Sequence, residues 1–195
     1  MNKIIIIGSG GHAKSCIEII KNHTKYDVFG LIDDNRRIGE NVLGHKVIGT
    51  TKDIIKFINK VRYFHIGIGH VKDNKKRIYY YKLLKSLNAV LPNIISKNSV
   101  VSNYIKIGDG NIIMNNVCIN ADVTIGNNNI INTSSVIEHD CVLGNHSHIS
   151  TGVTVNGSVK IQDSCFIGSG SVISNNLKIK KNSFVKLSSK IVRNI

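Results

Sequence analysis

The chain has 195 residues, of which 42% are hydrophobic and 19% are charged, and its formal net charge is +14 at pH 7. This composition is typical of a folded globular protein and excludes disorder as the main state. No run approaches the ~20 apolar residues of a membrane span. The apolar start at residues 4–7 is too short for a secretion signal, so we expect a cytoplasmic protein.

The positive charge is concentrated in residues 1–94, which hold 17 Lys and Arg against 7 acids, whereas residues 95–195 hold 9 against 5. No arginine-rich helix and no basic strand with interleaved aromatic residues is present, so nucleic acid is not an expected partner. The charge therefore indicates either a solvated basic surface or attraction of small polyanions such as CoA and nucleotide sugars.

The first 94 residues alternate between strand and helix patterns. Apolar runs predict strands at residues 3–7, 28–32 and 63–68. Helical apolar spacing predicts helices at residues 12–22, 51–60 and 75–87. The order β-α-β-α-β predicts one Rossmann-like half-unit, a nucleotide-sugar-binding domain of residues 1–94. Since a dinucleotide fold needs two such halves, a mononucleotide or a nucleotide sugar fits better than NAD.

A glycine-rich turn follows the first predicted strand. Gly8, Gly10 and Ala13 fit the pattern G-x-G-x-x-A, and Asp33 and Asp34 follow the second strand. Glycines at such a turn let the backbone approach a phosphate, which the free N–H groups of the next helix bind. The alternative is that the glycines only pack the strand against the helix.

From Ile95 to Ile191 every sixth residue is aliphatic, seventeen times without a break. Small or branched residues stand four positions later: Val117, Val123, Ser135, Cys141, Ser147, Val153, Val159, Cys165 and Ser171. This is the hexapeptide repeat of the left-handed parallel β-helix, in which three short strands make each coil and the aliphatic side chains stack inside. The sequence therefore predicts an all-β helical domain of residues 95–195.

Glycines and asparagines between the predicted strands suit tight corners that require positive φ. The residues in question are Gly108, Gly126, Gly144, Gly168, Asn115, Asn116, Asn127 and Asn128.

Residues 132–144 read Asn-Thr-Ser-Ser-Val-Ile-Glu-His-Asp-Cys-Val-Leu-Gly. Together with the half-unit and the hexapeptide repeat, this stretch resembles the bacterial sugar O-/N-acyltransferases. That family includes bacillosamine-type UDP-4-amino-sugar N-acetyltransferases, GDP-perosamine N-acetyltransferases and sialic acid O-acetyltransferases. The resemblance covers essentially the whole chain. It implies an acetyl-CoA-dependent N-acetyltransferase acting on a nucleotide-linked 4-amino-4,6-dideoxy sugar, most specifically a UDP sugar, in surface-glycan or glycoprotein sugar biosynthesis.

The same resemblance implies site residues and partners. His139 corresponds to the general base and Asp140 to the acid that polarises it, although the N-acetyltransferases often have the longer Glu there. CoA contacts of the family correspond to His148, Ser169 and Leu187, and the family can have Gly at the last position. The nucleotide-sugar site matches Gly10, Gly11, His12, Asp33, Asp34 and Gly69. Members are usually homotrimers with active sites between subunits, and no metal is expected.

The repeat also places His139 without the family. It is the third residue of its hexad and lies near a turn, and the residues one coil away are Ala121 and Gly157, both small. We expect open space beside the imidazole and a Gly157 N–H that stabilises a tetrahedral oxyanion. A neutral imidazole oriented by a carboxylate deprotonates an amine near pH 7, which predicts direct transfer without an acyl-enzyme.

Three alternatives remain at this point. His139, His146 and His148 could bind zinc, but their hexad positions differ, so within one chain they should not converge. The chain could instead be a catalytically inactive scaffold that binds nucleotide sugars. The acceptor could also differ, being a GDP- or dTDP-linked amino sugar or the hydroxyl of sialic acid.

Overall fold

The computed structural model describes residues 1–22 and 24–195 in full and the backbone of residue 23. The N-terminal elements are β1 (Asn2–Ile7), α1 (Gly11–His23), β2 (Tyr26–Ile32), β3 (Asn41–Val42), β4 (His45–Gly49), a 3-10 turn (Thr51–Asp53), α2 (Ile54–Ile58), β5 (Tyr63–Ile66) and α3 (Lys75–Ser86). The predicted strands and helices are all present, with the helix expected at residues 51–60 divided between the 3-10 turn and α2.

The N-terminal sheet has the strand order β3-β4-β2-β1-β5. β1 lies between β2 and β5 and is parallel to both, and its residues from Ile4 to Ile7 are at most 1% exposed. After β1 the chain first forms β2 on one side of it and later β5 on the other. The carboxyl ends of β1, β2 and β5 therefore frame a crevice at one edge of the sheet. This is where open α/β sheets bind ligands.

The hairpin of β3 and β4 was not expected from the sequence. Its strands pair antiparallel and are joined by Leu43 and Gly44, which have φ values of 49° and 84°. Two consecutive positive φ angles are typical of a type I′ hairpin turn, for which Asn-Gly or Asp-Gly is the usual signal. A leucine at the first position hides that signal.

The rest of the chain forms a β-helix of two-residue strands arranged on three parallel faces. Face 1 consists of Ile94–Ile95, Ile112–Ile113, Ile130–Ile131, His148–Ile149, Phe166–Ile167 and Phe184–Val185. Face 2 consists of Val100–Val101, Cys118–Ile119, Val136–Ile137, Thr154–Val155, Val172–Ile173 and Lys190–Ile191. Face 3 consists of Lys106–Ile107, Thr124–Ile125, Val142–Leu143, Lys160–Ile161 and Lys178–Ile179.

The hexad aliphatic residues fill the interior as predicted. Those from Ile113 to Val185 are all buried, and the members of the outermost coils, such as Ile95 and Ile191, are half-buried. The nine small or branched residues four positions later are buried as well. The fold class predicted from the sequence, a Rossmann-like half-unit followed by a left-handed β-helix, is confirmed.

The corners differ in detail from the prediction. Positive φ recurs at the fourth hexad position, which includes Asn116 and Asn128 and also Ser134 and Asp140. It is absent at six of the eight predicted corner residues: Gly108, Gly126, Gly144, Gly168, Asn115 and Asn127. Those glycines serve a different purpose: a Cβ on Gly126, for example, would stand 2.7 Å from the carbonyl oxygen of the next coil. They are required because neighbouring coils approach closely, not because φ is positive.

The N-terminal unit packs on face 1 and on the corner between faces 3 and 1. The outward side chains of Ile94, Ile112 and Ile130 are fully buried in one core with α1. From α3, Tyr81 and Lys85 both bind the carboxylate of Asp109. In the described part of the chain, no helix is long and apolar enough to cross a membrane.

Candidate active site

A cavity of about 380 Å³ lies at the carboxyl ends of β1, β2 and β5. The six residues assigned to the nucleotide-sugar site all line it: Gly10, Gly11, His12, Asp33, Asp34 and Gly69. We refer to this cavity as the cleft. Its position at the switch point of the sheet is the one expected for a nucleotide site.

The glycine turn forms one wall of the cleft. Gly8 has φ +99° and a Cβ there would stand 2.8 Å from Ile68, so both its conformation and its packing require glycine. At Gly10 and Gly11, by contrast, a Cβ would meet no atom within 4 Å, so this surface is open to a ligand. Helix α1 starts at Gly11 without a side-chain cap and without acids in its first turn. Its free N–H groups are suited to an anion such as a pyrophosphate.

The two acidic residues after β2 are held in place by hydrogen bonds from other residues around the cleft. Asp34 accepts hydrogen bonds from the Thr51 N–H (2.8 Å) and Oγ1 (2.6 Å) and from the Tyr80 hydroxyl (3.2 Å). The bonds from Thr51 lower the pKa of Asp34. Asp33 accepts from Ser9 Oγ at 2.6 Å. The hydrogen bonds hold both side chains in place at the wall of the cleft.

Further lining residues escaped the sequence analysis. Lys76 and Tyr80 reach the cleft from α3, and Ser9 from the glycine turn. Spacing of four residues on one helix places Lys76 and Tyr80 on the same face, but nothing in the sequence indicates which element that face meets.

A group of buried histidines separates the cleft from the β-helix. Burial lowers the pKa of His12 well below its ordinary value and the pKa of His65 and His70 to about 3. Among the described side chains, none makes a hydrogen bond to His12 Nε2 or to either ring nitrogen of His65 or His70. These imidazoles are neutral at pH 7.

The predicted catalytic pair lies on the corner between faces 2 and 3. His139 Nδ1 donates to Asp140 Oδ2 at 2.7 Å, with side chains 60% and 56% exposed. The bonded carboxylate raises the pKa of His139. Asp140 has φ +61°, in the left-handed conformation of the fourth hexad position, and this brings its carboxylate to the preceding residue. Nε2 is left free to accept a proton.

Gly157 lies next to the imidazole, one coil further along. A Cβ there would stand 2.8 Å from both Cε1 and Nε2 of His139, so the ring itself fills the space that was expected to be open. Within the described structure the Gly157 N–H has no hydrogen-bond acceptor, whereas the next N–H, that of Ser158, donates to the His139 carbonyl. A free donor therefore lies close to the free imidazole nitrogen.

The three residues assigned to CoA are divided between two places. Ser169 and Leu187 lie on the corner between faces 1 and 2 and line an apolar groove with Val71, Phe166 and Phe184. The rings of Phe166 and Phe184 stack at 5.2 Å.

His148 lies deeper than the other two, on face 1, and lines a cavity shared with His12, Gly69 and His70. Its Nδ1 donates to the His70 carbonyl at 2.7 Å, and Nε2 accepts from Asn132 at 3.2 Å. Burial lowers its pKa to about 4. His148 contacts the Phe166 ring of the groove at 5.3 Å, so it connects the groove to the N-terminal unit.

The cleft and the His139–Asp140 pair lie on different sides of the β-helix. The N-terminal unit covers face 1 and the corner between faces 3 and 1, whereas His139 is on the corner opposite face 1. Among the described residues, no hydrogen bond or ring contact joins the N-terminal unit to residues 138–140 or 156–158. In one chain, the imidazole does not face the cleft.

The zinc alternative requires histidines that converge. His146 is on the corner between faces 3 and 1, where its Nδ1 is bonded to Asn128 Nδ2 at 3.0 Å, far around the coil from His139. In the part of the chain that the structure describes, no three His, Cys, Asp or Glu side chains are grouped to hold a metal ion.

Comparison with protein families matches both parts of the chain. Residues 3–84 match the PglD N-terminal domain, and residues 122–157 match the bacterial transferase hexapeptide of six repeats. The order of the two matches, an N-terminal unit similar to the PglD N-terminal domain followed by transferase hexapeptides, agrees with the resemblance seen in the sequence. No curated protein sequence is significantly similar to the chain.

Solved structures of similar fold cover the whole chain. A histidine-to-asparagine mutant of perosamine N-acetyltransferase from Caulobacter crescentus, in complex with CoA and GDP-perosamine, is 28% identical with a TM-score of 0.90, over 100% of this chain and 90% of that one. The acetyltransferase domain of PglB from Neisseria gonorrhoeae is 25% identical with a TM-score of 0.88, over 100% and 93%. The same domain in complex with acetyl coenzyme A is 24% identical with a TM-score of 0.86, over 98% and 93%.

Proposed function

We propose that this chain is an acetyl-CoA-dependent N-acetyltransferase whose acceptor is the amino group of a nucleotide-linked 4-amino-4,6-dideoxy sugar. The observation that carries the proposal is the exposed His139–Asp140 pair beside a free Gly157 N–H, on a chain that also has a nucleotide-type cleft. The full-length likeness to perosamine N-acetyltransferase, solved with CoA and GDP-perosamine, supports it.

In the proposed reaction the neutral amine attacks the thioester carbonyl carbon of acetyl-CoA. As the N–C bond forms, the amine proton passes to Nε2 of His139, and Asp140 stabilises the resulting imidazolium through Nδ1. The carbonyl oxygen becomes an oxyanion, to which the Gly157 N–H donates. The C–S bond then breaks, and the imidazolium returns the proton to the CoA thiolate.

Acetyl-CoA is proposed to lie along the apolar groove at Ser169 and Leu187. An apolar floor of stacked rings suits the pantetheine arm, and Lys186 at its edge suits a phosphate. His148 is neutral, so it contributes hydrogen bonding and packing rather than charge. We assign residues 1–94 to the nucleotide sugar and residues 95–195 to acetyl-CoA and catalysis.

The separation of His139 from the cleft supports a homotrimer with active sites between subunits. Face 2 presents an outward column of Val100, Cys118, Val136, Thr154, Val172 and Lys190, which is mostly apolar up to Val172; Val100 is 70% exposed and Val172 is 40% exposed. Burying this apolar column against a second copy would bring the adjacent His139 corner close to the neighbour's groove.

UDP is the nucleotide proposed first, because the nucleotide unit is a PglD N-terminal domain and the sequence resembles bacillosamine-type enzymes. GDP is the second candidate, since the structural likeness to the GDP-perosamine enzyme extends over the entire chain. We place the reaction in the cell interior and in bacterial surface-glycan or glycoprotein sugar biosynthesis.

The first test is release of free CoA thiol with UDP-, GDP- and dTDP-linked 4-amino sugars and with sialic acid. We expect turnover of one amino sugar, and a loss of about 10²–10⁴-fold in His139→Ala with nucleotide binding retained. The matched control is Asn103→Ala, an exposed residue on the same corner two coils earlier. Turnover of sialic acid alone would reassign the activity to O-acetylation, and binding without any turnover would favour a scaffold.

A second test asks whether sites are shared between subunits. Gly11→Asp places a carboxylate in the open space of the turn, where it repels a phosphate and still suits a helix start. Neither this variant nor His139→Ala should be active alone. Coexpressed, they should regain about one quarter of wild-type activity, because random pairing joins an intact cleft to an intact His139 at one interface in four. No recovery would contradict the shared site.

A further inference from the structure

Arg77 is a fully buried cation in the middle of the molecule. It lies on α3 with 0% exposure. Its Nη1 donates to the carbonyls of Ile66 (2.6 Å) and Ile68 (2.9 Å), and its Nε donates to the carbonyl of Asn128 (3.2 Å). Among the described side chains, no carboxylate pairs with it. A buried charge held by carbonyl dipoles alone needs those carbonyls in fixed positions.

One of the three carbonyls, that of Ile68, belongs to a wall of the cleft, and a second, that of Ile66, immediately precedes this wall. Ile66 ends β5, and residues 67–69 line the cavity. The bonds from Arg77 flank Gly67, which is packed without free space: a Cβ there would stand 2.6 Å from Ile6 and 3.0 Å from Ala13. Any displacement of residues 66–70, which we name the cleft wall segment, therefore changes the shape of the nucleotide site.

The same segment is tied to the β-helix. At its end, the His70 carbonyl accepts the Nδ1–H of His148 on face 1 at 2.7 Å. At its beginning, Arg77 joins it to Asn128 on the corner between faces 3 and 1. Arg77 and His148 thus both connect the cleft wall segment to the β-helix, and Arg77 does so without lining the cleft.

We propose that Arg77 is a positioning residue that holds the cleft wall segment against the β-helix and thereby sets the affinity of the cleft for a nucleotide diphosphate. The nucleotide part rests on the proposed function. The positioning part does not, because the order of the segment is measurable without any ligand.

The experiment compares Arg77→Lys and Arg77→Gln in the full chain. Backbone amide hydrogen exchange of residues 66–70 should accelerate at least about tenfold in Arg77→Gln and less in Arg77→Lys, which keeps a cation able to bond one carbonyl. Dissociation constants for UDP and GDP should rise in the same order, by about tenfold for Arg77→Gln. At saturating nucleotide sugar, kcat and its pH profile should stay near wild type, since Arg77 makes no hydrogen bond to His139, Asp140 or Gly157.

The matched control is Asn74→Ala. It removes another bond from the start of α3 to the β-helix, the 2.9 Å bond from Asn74 Nδ2 to the His146 carbonyl, but leaves the cleft wall segment bonded. It should show wild-type exchange and affinity. Equal loosening in Asn74→Ala would overturn the proposal, because general docking would then explain the effect. Unchanged exchange in a folded Arg77→Lys would also overturn it, even if Arg77→Gln fails to fold.

The two proposals fail separately. If the wild-type protein binds neither UDP nor GDP, the proposed function is wrong for these nucleotides, and the exchange comparison still decides the role of Arg77. If nucleotides bind with equal affinity to wild type and to both folded variants, the positioning of the cleft by Arg77 is rejected and the proposed function stands.

Discussion

In the N-terminal unit each wall of the cleft is held by side chains distant in sequence, whereas on the β-helix the His139–Asp140 pair is held by neighbours at fixed spacings. Asp34 bonds to Thr51 and Tyr80, which are 17 and 46 residues away. His139 bonds to the next residue and lies beside Gly157, exactly one coil further on. The geometry of the cleft depends on tertiary packing, whereas that of the His139–Asp140 corner, the proposed catalytic site, depends on the regularity of the coil.

This difference predicts different responses to mutation. A change on the corner should act locally, on the imidazole and its chemistry, because the coil beneath is supported by its own aliphatic stack. A change near the cleft should spread through shared hydrogen bonds and appear in ligand affinity or in stability. The following experiments test these expectations in order of decreasing effect.

Gly157→Ala should give the largest local effect. The new Cβ would stand 2.8 Å from Nε2 of His139 and push the ring aside, while the backbone of residue 157 tolerates alanine. We expect kcat to fall about 100-fold, since a displacement near 1 Å in a reacting group has that effect. Thermal stability should be unchanged. Asn175→Ala, on the same corner one coil further, is the control, and a wild-type kcat in Gly157→Ala would contradict the assignment.

Acid should destabilise the region of buried histidines. His65 and His70 have a pKa of about 3 in the folded protein, against about 6.5 in the unfolded chain. The contribution of each neutral imidazole to the free energy of unfolding is therefore fully present above pH 6.5. It is lost as the pH falls toward the folded-state pKa of about 3, by about 2 kcal/mol for each group at pH 5. Urea unfolding between pH 7.5 and 5 measures this loss.

The matched variant for acid stability is His65→Leu. Because it removes a fully buried imidazole whose ring nitrogens find no partner among the described residues, the loss between pH 7.5 and 5 should become smaller. His139→Leu, at an exposed position, should not reduce it. The same loss in His65→Leu as in wild type would show that other groups cause the acid sensitivity.

Asp140→Asn should change the pH dependence of catalysis. The Asp140 carboxylate raises the pKa of His139, so activity should rise with pH through a value above 6.5 as the imidazole loses its proton. In the Asp140→Asn variant this rise in activity should occur at lower pH, and the limiting kcat should fall by about tenfold, because a weaker base accepts the amine proton less readily. If activity rises at the same pH in Asp140→Asn as in wild type, a group other than His139 controls the pH dependence of activity.

Tyr80→Phe should have the smallest effect. It removes one of three donors to Asp34 and leaves both bonds from Thr51 in place. It also removes the 2.8 Å bond between the Tyr80 hydroxyl and Thr51 Oγ1, and the dissociation constant for the bound nucleotide should rise about threefold. Tyr79→Phe, an adjacent tyrosine that is 56% exposed, is the control. Equal effects on the dissociation constant in the two variants would contradict the proposal that the bond from Tyr80 to Asp34 contributes to nucleotide binding.

Features that depend on local spacing were predictable from the sequence. The six-residue period specifies which side chains enter the β-helix, and the glycine turn with Asp33 and Asp34 specifies one edge of the N-terminal sheet. The six residues that the family resemblance, rather than spacing, assigns to the nucleotide-sugar site all line one cavity at that edge. The corner residues with positive φ were predicted less well, because the sequence does not distinguish a glycine that adopts positive φ from one that allows neighbouring coils to pack closely.

Features that depend on which elements meet were not predictable. Arg77 is part of the run Lys75-Lys76-Arg77 at the start of a helix, where exposure is the usual expectation for all three. Only the packing of α3 between the sheet and the β-helix buries the third of them. The distance between His139 and the cleft within one chain was unpredictable for the same reason, because it depends on which face of the β-helix the N-terminal unit covers.

The regular coil also makes the length of the molecule adjustable without changing its chemistry. Strands one coil apart pair in exact register along each face, as Ile112 does with Ile130. Inserting a whole coil after Ile191 would therefore lengthen the β-helix by about 4.8 Å and leave His139, Asp140, Gly157 and the groove at Ser169 and Leu187 as they are. The length of the β-helix is therefore set in whole coils, each of which adds one strand to every face.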